Sequence, residues 1–203
     1  MDDLEMTPPP TVQERTSHRY SPVFRDRAAA IAEHLPARPD IAVPSVQFLH
    51  DEIAQCITHG LGGAAITLSA IMVEFSLKYA LYSHAVRQDA STARDASWSA
   101  FEKLVLGAAI TKASEEGIIT PSQMAGLREF KNDIRNPYLH YNIAQITAGV
   151  VVPCPVEDLD TGVVATQQLA TDDSPAIRPH VKRVIDAKNA LKVFQFATYV
   201  AES

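Results

Sequence analysis

The run GLGGAAITLSAIMVEFSLKYALYSH, residues 60–84, constrains this chain more than any other stretch. Leu68, Met72, Phe75 and Tyr79 form one stripe at helical spacing, and Ile66, Val73, Leu77 and Leu81 form another. A helix over 64–84 is therefore apolar on most sides, and such a helix must be surrounded. Glu74 is the one formally charged residue between Ile53 and Leu77. A carboxylate in that setting has to be paired or reach solvent. Together with the glycines and hydroxyls of the run, it argues for a central core helix rather than a membrane span. The glycines of GLGG, 60–63, either bend the helix or let another one approach closely.

The rest of the chain offers partners for that helix. Ser21-Pro22 reads as an N-cap followed by an N1 proline, opening a short amphipathic helix over 22–35. The prolines of 36–44 read as a linker, and Leu49, Ile53 and Ile57 mark a second helix from about Ser45. After a polar loop at 87–97, Ser99-x-x-Glu102 resembles a capping box for a helix running to about Glu116, with Gly117 at its C′ position. Thr120-Pro121-Ser122-Gln123 is a stronger start signal, and Met124, Leu127, Phe130 and Ile134 continue from it. Residues 147–180 lose helical periodicity and read as a short β-hairpin or irregular arm, before a last helix over 186–202. The sum is an all-α fold, an up-and-down bundle of about five helices with an arm inserted before the last one. Residues 1–20 are expected to be a flexible tail and 21–203 a single domain.

With 203 residues, 46% of them apolar, the chain suits one such domain. Its net charge of −6 excludes a general electrostatic affinity for nucleic acid, so any such role needs a local cationic site. Cys56 and Cys154 make no disulfide framework, and Cys56-x-x-His59 lacks a second ligand pair. No metal and no cofactor are expected. MDDLEMTPPPTVQER has no apolar core of a signal peptide, so the expectation is a soluble, cytoplasmic protein without a membrane partner.

The sharpest chemistry lies in DIRNPYLHYN, 133–142. Pro137 donates no backbone hydrogen bond and clashes with the Asp133 carbonyl in a straight helix. The expectation is that one helix ends near Arg135 and another begins at Pro137, with Asn136 as its N-cap. That break would expose N–H groups suited to an anion. It would also bring Arg135 and His140 onto one surface, although five residues of unbroken helix set side chains roughly 140° apart. An imidazole, a guanidinium and an amide suit attack on an RNA phosphodiester, where the 2′-hydroxyl is an internal nucleophile.

The stretch Arg135-Asn136-Pro137-Tyr138-Leu139-His140 resembles the R-x4-6-H signature of the HEPN superfamily (higher eukaryotes and prokaryotes nucleotide-binding domains). The resemblance extends to the helix at 62–81 with Glu74, to 101–136, and in all to about 45–145 plus the last helix. It implies a helical bundle that dimerises, with two motifs facing across one composite cleft. It also implies a metal-independent endoribonuclease of the toxin or phage-defence kind, leaving 2′,3′-cyclic phosphate and 5′-hydroxyl ends. By that resemblance Arg135 would bind the phosphate, Asn136 would position it, and His140 would be the acid–base group. An antitoxin or defence partner protein would accompany it. Two departures stand out. Asn142 occupies the place two residues after the histidine where antitoxin-paired members carry tyrosine, and the arm at 147–180 is not a family feature. The other reading of the motif is a non-catalytic helical scaffold that binds a nucleotide or a partner protein.

Around the motif, Glu74 is a candidate to orient Arg135 or His140, Lys131 to extend a phosphate surface, and Tyr138 and Tyr141 to support the motif residues or to bind substrate. Arg128 reads as part of a solvated face. Arg178, Lys182, Arg183 and Lys188 read either as an RNA-backbone contact or as a solvated helix start. The aromatic residues sit at core spacing, with no base-stacking platform.

Overall fold

A computed structural model describes residues 22–89, 95–157 and 160–203 of the chain. The expected tail over 1–20 and part of the polar loop lie outside the described residues. The chain divides into two units, Met1–Leu35 and Pro36–Ser203. In the first, helix α1 covers Pro22–Ala32, with Pro22 as its first residue, while Ser21, the expected N-cap, lies outside the described residues. His34 and Leu35 then close a turn onto the carbonyls of Ile31 and Ala32.

The second unit is mainly helical with one small antiparallel sheet. Helices α2 (Pro44–Thr58), α3 (Gly62–Gln88), α4 (Asp95–Glu102), α5 (Leu106–Glu115) and α6 (Pro121–Phe130) come first. A π-helical turn (Lys131–Arg135) leads into the short α7 (Asn136–Leu139) and α8 (Ile143–Ile146). Strands β1 (Val151–Glu157) and β2 (Val164–Ala170), a 3-10 turn and the long α9 (Arg178–Glu202) follow.

Helix α3 is central: α2 and α9 run along it, while α4 and α5 flank it. Ile66, Met72, Val73 and Leu81 are fully buried in it, alongside Ile53 of α2, Ile110 of α5 and Phe194 of α9. α3 is long and apolar enough to cross a membrane by length and composition, the one such helix among the described residues. In this fold its apolar length serves as the core around which the other helices pack.

The GLGG run ends one helix and starts the next. Gly60 has φ +70°, and the Leu61 N–H reaches the Cys56 carbonyl at 2.8 Å, which closes α2 in the left-handed manner glycine allows. Gly62 and Gly63 then face α9. A Cβ on Gly62 would stand 2.8 Å from the Asp186 backbone, and one on Gly63 2.7 Å from Asp186 Oδ2. The expected close approach is found at Gly62 and Gly63, while the alternative, a bend, is not: the helix stops at Thr58 and a new one starts at Gly62.

The capping box at Thr120 forms as expected. Its Oγ1 accepts from the Gln123 N–H at 3.2 Å, and the Thr120 N–H donates to Gln123 Oε1 at 2.8 Å. The one at Ser99 does not form: Ser99 and Glu102 lie within α4, and the next helix starts at Leu106 after an extended Val105. The arm is a β-hairpin with Val151 opposite Ala170 and Glu157 opposite Val164. Its base is tied by Thr171, whose hydroxyl donates to the Thr147 and Val150 carbonyls. Helix α9 begins at Arg178, eight residues before the Asp186 expected from periodicity.

Candidate functional site

The helix does not break at Pro137. Arg135 (φ −59°, ψ −51°) and Asn136 (φ −66°, ψ −48°) are both right-handed helical, so α6, the π turn and α7 form one continuous rod. The Asn136 N–H bonds the Lys131 carbonyl, five residues back. One widened turn before the proline moves the Asp133 carbonyl out of the path of its ring. Asn136 is thus no N-cap, and the expected anion-binding helix start at Pro137 is absent. Along continuous helix, Arg135 and His140 project roughly 140° apart, so no kink brings them onto one surface within a single protomer.

The widened turn instead aims Arg135 at α3. Its Nε and Nη2 donate to Glu74 Oε2 at 3.1 and 2.9 Å, and its Nη1 donates to Asn136 Oδ1 at 3.1 Å. Lys78, one turn along α3, donates to Glu74 Oε1 at 2.8 Å and to the Glu102 carbonyl at the end of α4 at 2.9 Å. Both carboxylate oxygens are therefore engaged, at 17% side-chain exposure. Burial alone would raise the Glu74 pKa. The hydrogen bonds and charges of Lys78 and Arg135 outweigh it and hold the group below its ordinary value of 4.5. Glu74 was expected to serve Arg135 or His140, and it serves Arg135. Lys78 was missed, although it stands at i+4 from Glu74, the spacing that pairs charges on a helix.

The other end of α7 is organised by α9. Tyr138 is buried and its hydroxyl donates to Asp186 Oδ1 at 2.7 Å, while Lys182 Nζ donates to Asp186 Oδ2 at 2.6 Å. Burial and the Asp186 carboxylate push the Tyr138 phenol well above the usual tyrosine range. Tyr138 therefore anchors the motif turn to α9. Lys182 Nζ also stands 4.8 Å from the Tyr138 ring centre and 5.6 Å from that of Tyr141. With 8% exposure, Lys182 belongs to neither a solvated helix start nor an RNA-backbone face. Arg178 is likewise committed, its Nε donating to the Thr171 carbonyl at 3.0 Å.

The rod ends by left-handed closure at Tyr141, whose N–H bonds the Tyr138 carbonyl while the Asn142 N–H bonds that of Pro137. Tyr141 has φ +49°, the one positive value at a non-glycine residue among those described. This leaves its ring 68% exposed beside His140, which is also exposed. Lys131 runs past α5, its Nζ near Gly107, and Arg128 is exposed as expected.

The structure thus joins Arg135, Asn136, Glu74 and Lys78 in one cluster, and Tyr138, Tyr141, Lys182 and Asp186 in a second. His140 sits at the end of the second. Phe75, Tyr79, Tyr82, Trp98 and Phe101 pack edge to face and obliquely on one another between α3 and α4, with Phe101 buried and the other four half-buried. Comparison with protein-family models, curated proteins and solved structures finds no match.

Proposed function

We propose that this chain is a metal-independent endoribonuclease of HEPN type, acting as a cytoplasmic homodimer in a toxin or defence system. The observation that carries the reading is Arg135 itself. Its guanidinium is clamped on one side by Glu74 and Asn136, and its three hydrogen bonds leave two of the five N–H donors of a guanidinium for a phosphate. A clamped guanidinium loses little freedom when it grips phosphate oxygens, which suits charge developing in a transition state. The π turn beside it and the left-handed Tyr141 are departures from regular helix of the kind that gather at working sites.

In this reading the His140 imidazole takes the proton from the 2′-hydroxyl as that oxygen attacks phosphorus. The bond to the 5′ oxygen breaks, and that oxygen leaves with a proton from a second imidazolium, His140 of the other copy. Arg135 holds a non-bridging oxygen throughout. Because Arg135 and His140 diverge along one rod, the cleft needs two copies.

The same ion pair also favours a second reading. Glu74 neutralises Arg135 in a chain already at −6, as suits a scaffold that binds a partner protein. An assay in EDTA on tRNA, structured RNA and mRNA pools separates them. Cleavage by wild type that His140→Ala reduces at least about a hundredfold, leaving 2′,3′-cyclic phosphate ends, is the expected outcome. A folded dimer that cuts no pool, or equal cutting by both proteins, rejects the ribonuclease.

A further inference from the structure

A cavity of about 420 Å³ opens between the C-terminal ends of α3 and α9 and the start of α6. Its size is that of a small-molecule site. It contains none of Glu74, Arg135, Asn136 and His140, and nothing in the ribonuclease reading uses it. Leu77, Ile118, Leu127 and Phe196 give it apolar walls. Its ionisable side chains are different in kind. His84 and Arg87 come one turn apart from the same stripe of α3, and Tyr199 faces them from α9. Among the described residues no aspartate or glutamate side chain lines it, in a chain where acidic residues outnumber lysine and arginine 24 to 18, so the negative influence on it is the carbonyl end of α9 at Ser203, opposite His84 and Arg87.

Gly126 is the second observation. It lies in the middle of α6, a helix interior where glycine is unfavourable, and it lines the cavity. A Cβ built there meets no atom within 4 Å, so no neighbouring side chain or backbone demands a glycine. Its φ is not in the left-handed range either. What a larger residue would take away is the open space of the cavity.

We infer that this cavity binds a small amphipathic anion, its apolar body against Leu77, Leu127 and Phe196 and its single acid group at Arg87 and His84. Apolar walls recognise the body by area, and a guanidinium reads an acid group by charge-assisted hydrogen bonds that an alcohol cannot match.

Titration calorimetry on the full chain with octanoate, octyl phosphate and octanol tests it. Octanoate or octyl phosphate should bind at one site per chain, at least roughly tenfold more tightly than octanol. The tighter of the two anions identifies the head group as carboxylate or phosphate. Arg87→Gln with His84→Gln should bring the anions down to the affinity of octanol. Gly126→Leu should abolish binding of all three while the thermal unfolding temperature stays level or rises, because the exchange improves the helix. That pairing separates a filled cavity from a misfolded protein. The inference is overturned if Gly126→Leu binds the anions like wild type, if octanol matches them, or if none of the three probes binds.

Discussion

Glu74 ties the central helix to the rod that carries Arg135. It lies on a helix otherwise devoid of charge up to Leu77, and both its oxygens are taken by cations. Glu74→Gln removes a charge that is mostly out of water and leaves Arg135 without its clamp. A loss of about 2 kcal/mol is expected, between the values of exposed and fully buried pairs, measured by urea unfolding at pH 7. The pH dependence has a definite sign. A carboxylate whose folded pKa is depressed contributes fully above its unfolded value and loses that contribution as pH falls through the folded one. Wild type should therefore lose stability more steeply than Glu74→Gln below about pH 4.5, and parallel curves would dissolve the ion-pair account. His50 of α2 also has its pKa lowered, but here burial is the cause. It is 4% exposed and tilted against Phe194 at 4.7 Å, and Asp51 Oδ1 stands 3.8 Å from its Nδ1, beyond hydrogen-bond reach. Burial lowers its pKa below 6.5, and the Asp51 carboxylate and the carbonyls of Ala37 and Pro36 oppose this only in part. Folding then favours the neutral ring, so this contribution is complete above pH 6.5 and declines as pH falls from there towards the folded pKa. His50→Leu should flatten the stability profile just below pH 6.5, read by thermal unfolding in a series of buffers.

At the scale of elements, the decisive contact is the crossing of α3 and α9 at Gly62 and Gly63. The Asp186 backbone comes so close that a methyl on Gly62 has to displace main chain. Gly62→Ala should cost about 1–3 kcal/mol, the range for overpacking, despite the better helix propensity of alanine. A variant as stable as wild type in urea would mean the two helices separate without penalty. The same crossing holds the Tyr138–Asp186–Lys182 cluster, so a shift there also moves the turn that carries His140. This crossing was half legible. The glycines announce either a bend or a close approach, but they do not say which helix approaches. The π turn was not legible at all. Proline forbids a straight α-helix, and chain breakage and a widened turn answer that prohibition equally well in local terms. Packing of Arg135 onto Glu74, 61 residues away in sequence, selects the widened turn.

The whole molecule treats its arm as an appendage. β1 and β2 pair chiefly with each other, and the ties to the helices lie outside the strands, where Thr171 bonds the Thr147 carbonyl at the end of α8 and Arg178 at the start of α9 bonds the Thr171 carbonyl. Replacing 151–170 by a short Gly-Ser connection should leave the helical circular-dichroism signal intact and shift the unfolding temperature by no more than about 5 °C. Loss of cooperative unfolding would show instead that the hairpin is part of the core.

Composition and periodicity determined that α3 is central, that helices surround it, that Gly117 and Thr120 mark the end of one helix and the start of the next, and that the chain leaves helix after Ile146. Those properties are local: they depend on which face of a short segment is apolar and on which residue fits a cap or a turn. Tertiary structure decided that Pro137 sits inside a helix, that Tyr138 reaches the Asp186–Lys182 pair and buries it, and that Arg135 turns toward Glu74. Each of those outcomes sets one long-range contact against a local preference of a few kcal/mol at most. Sequence spacing records the preference but not the partner.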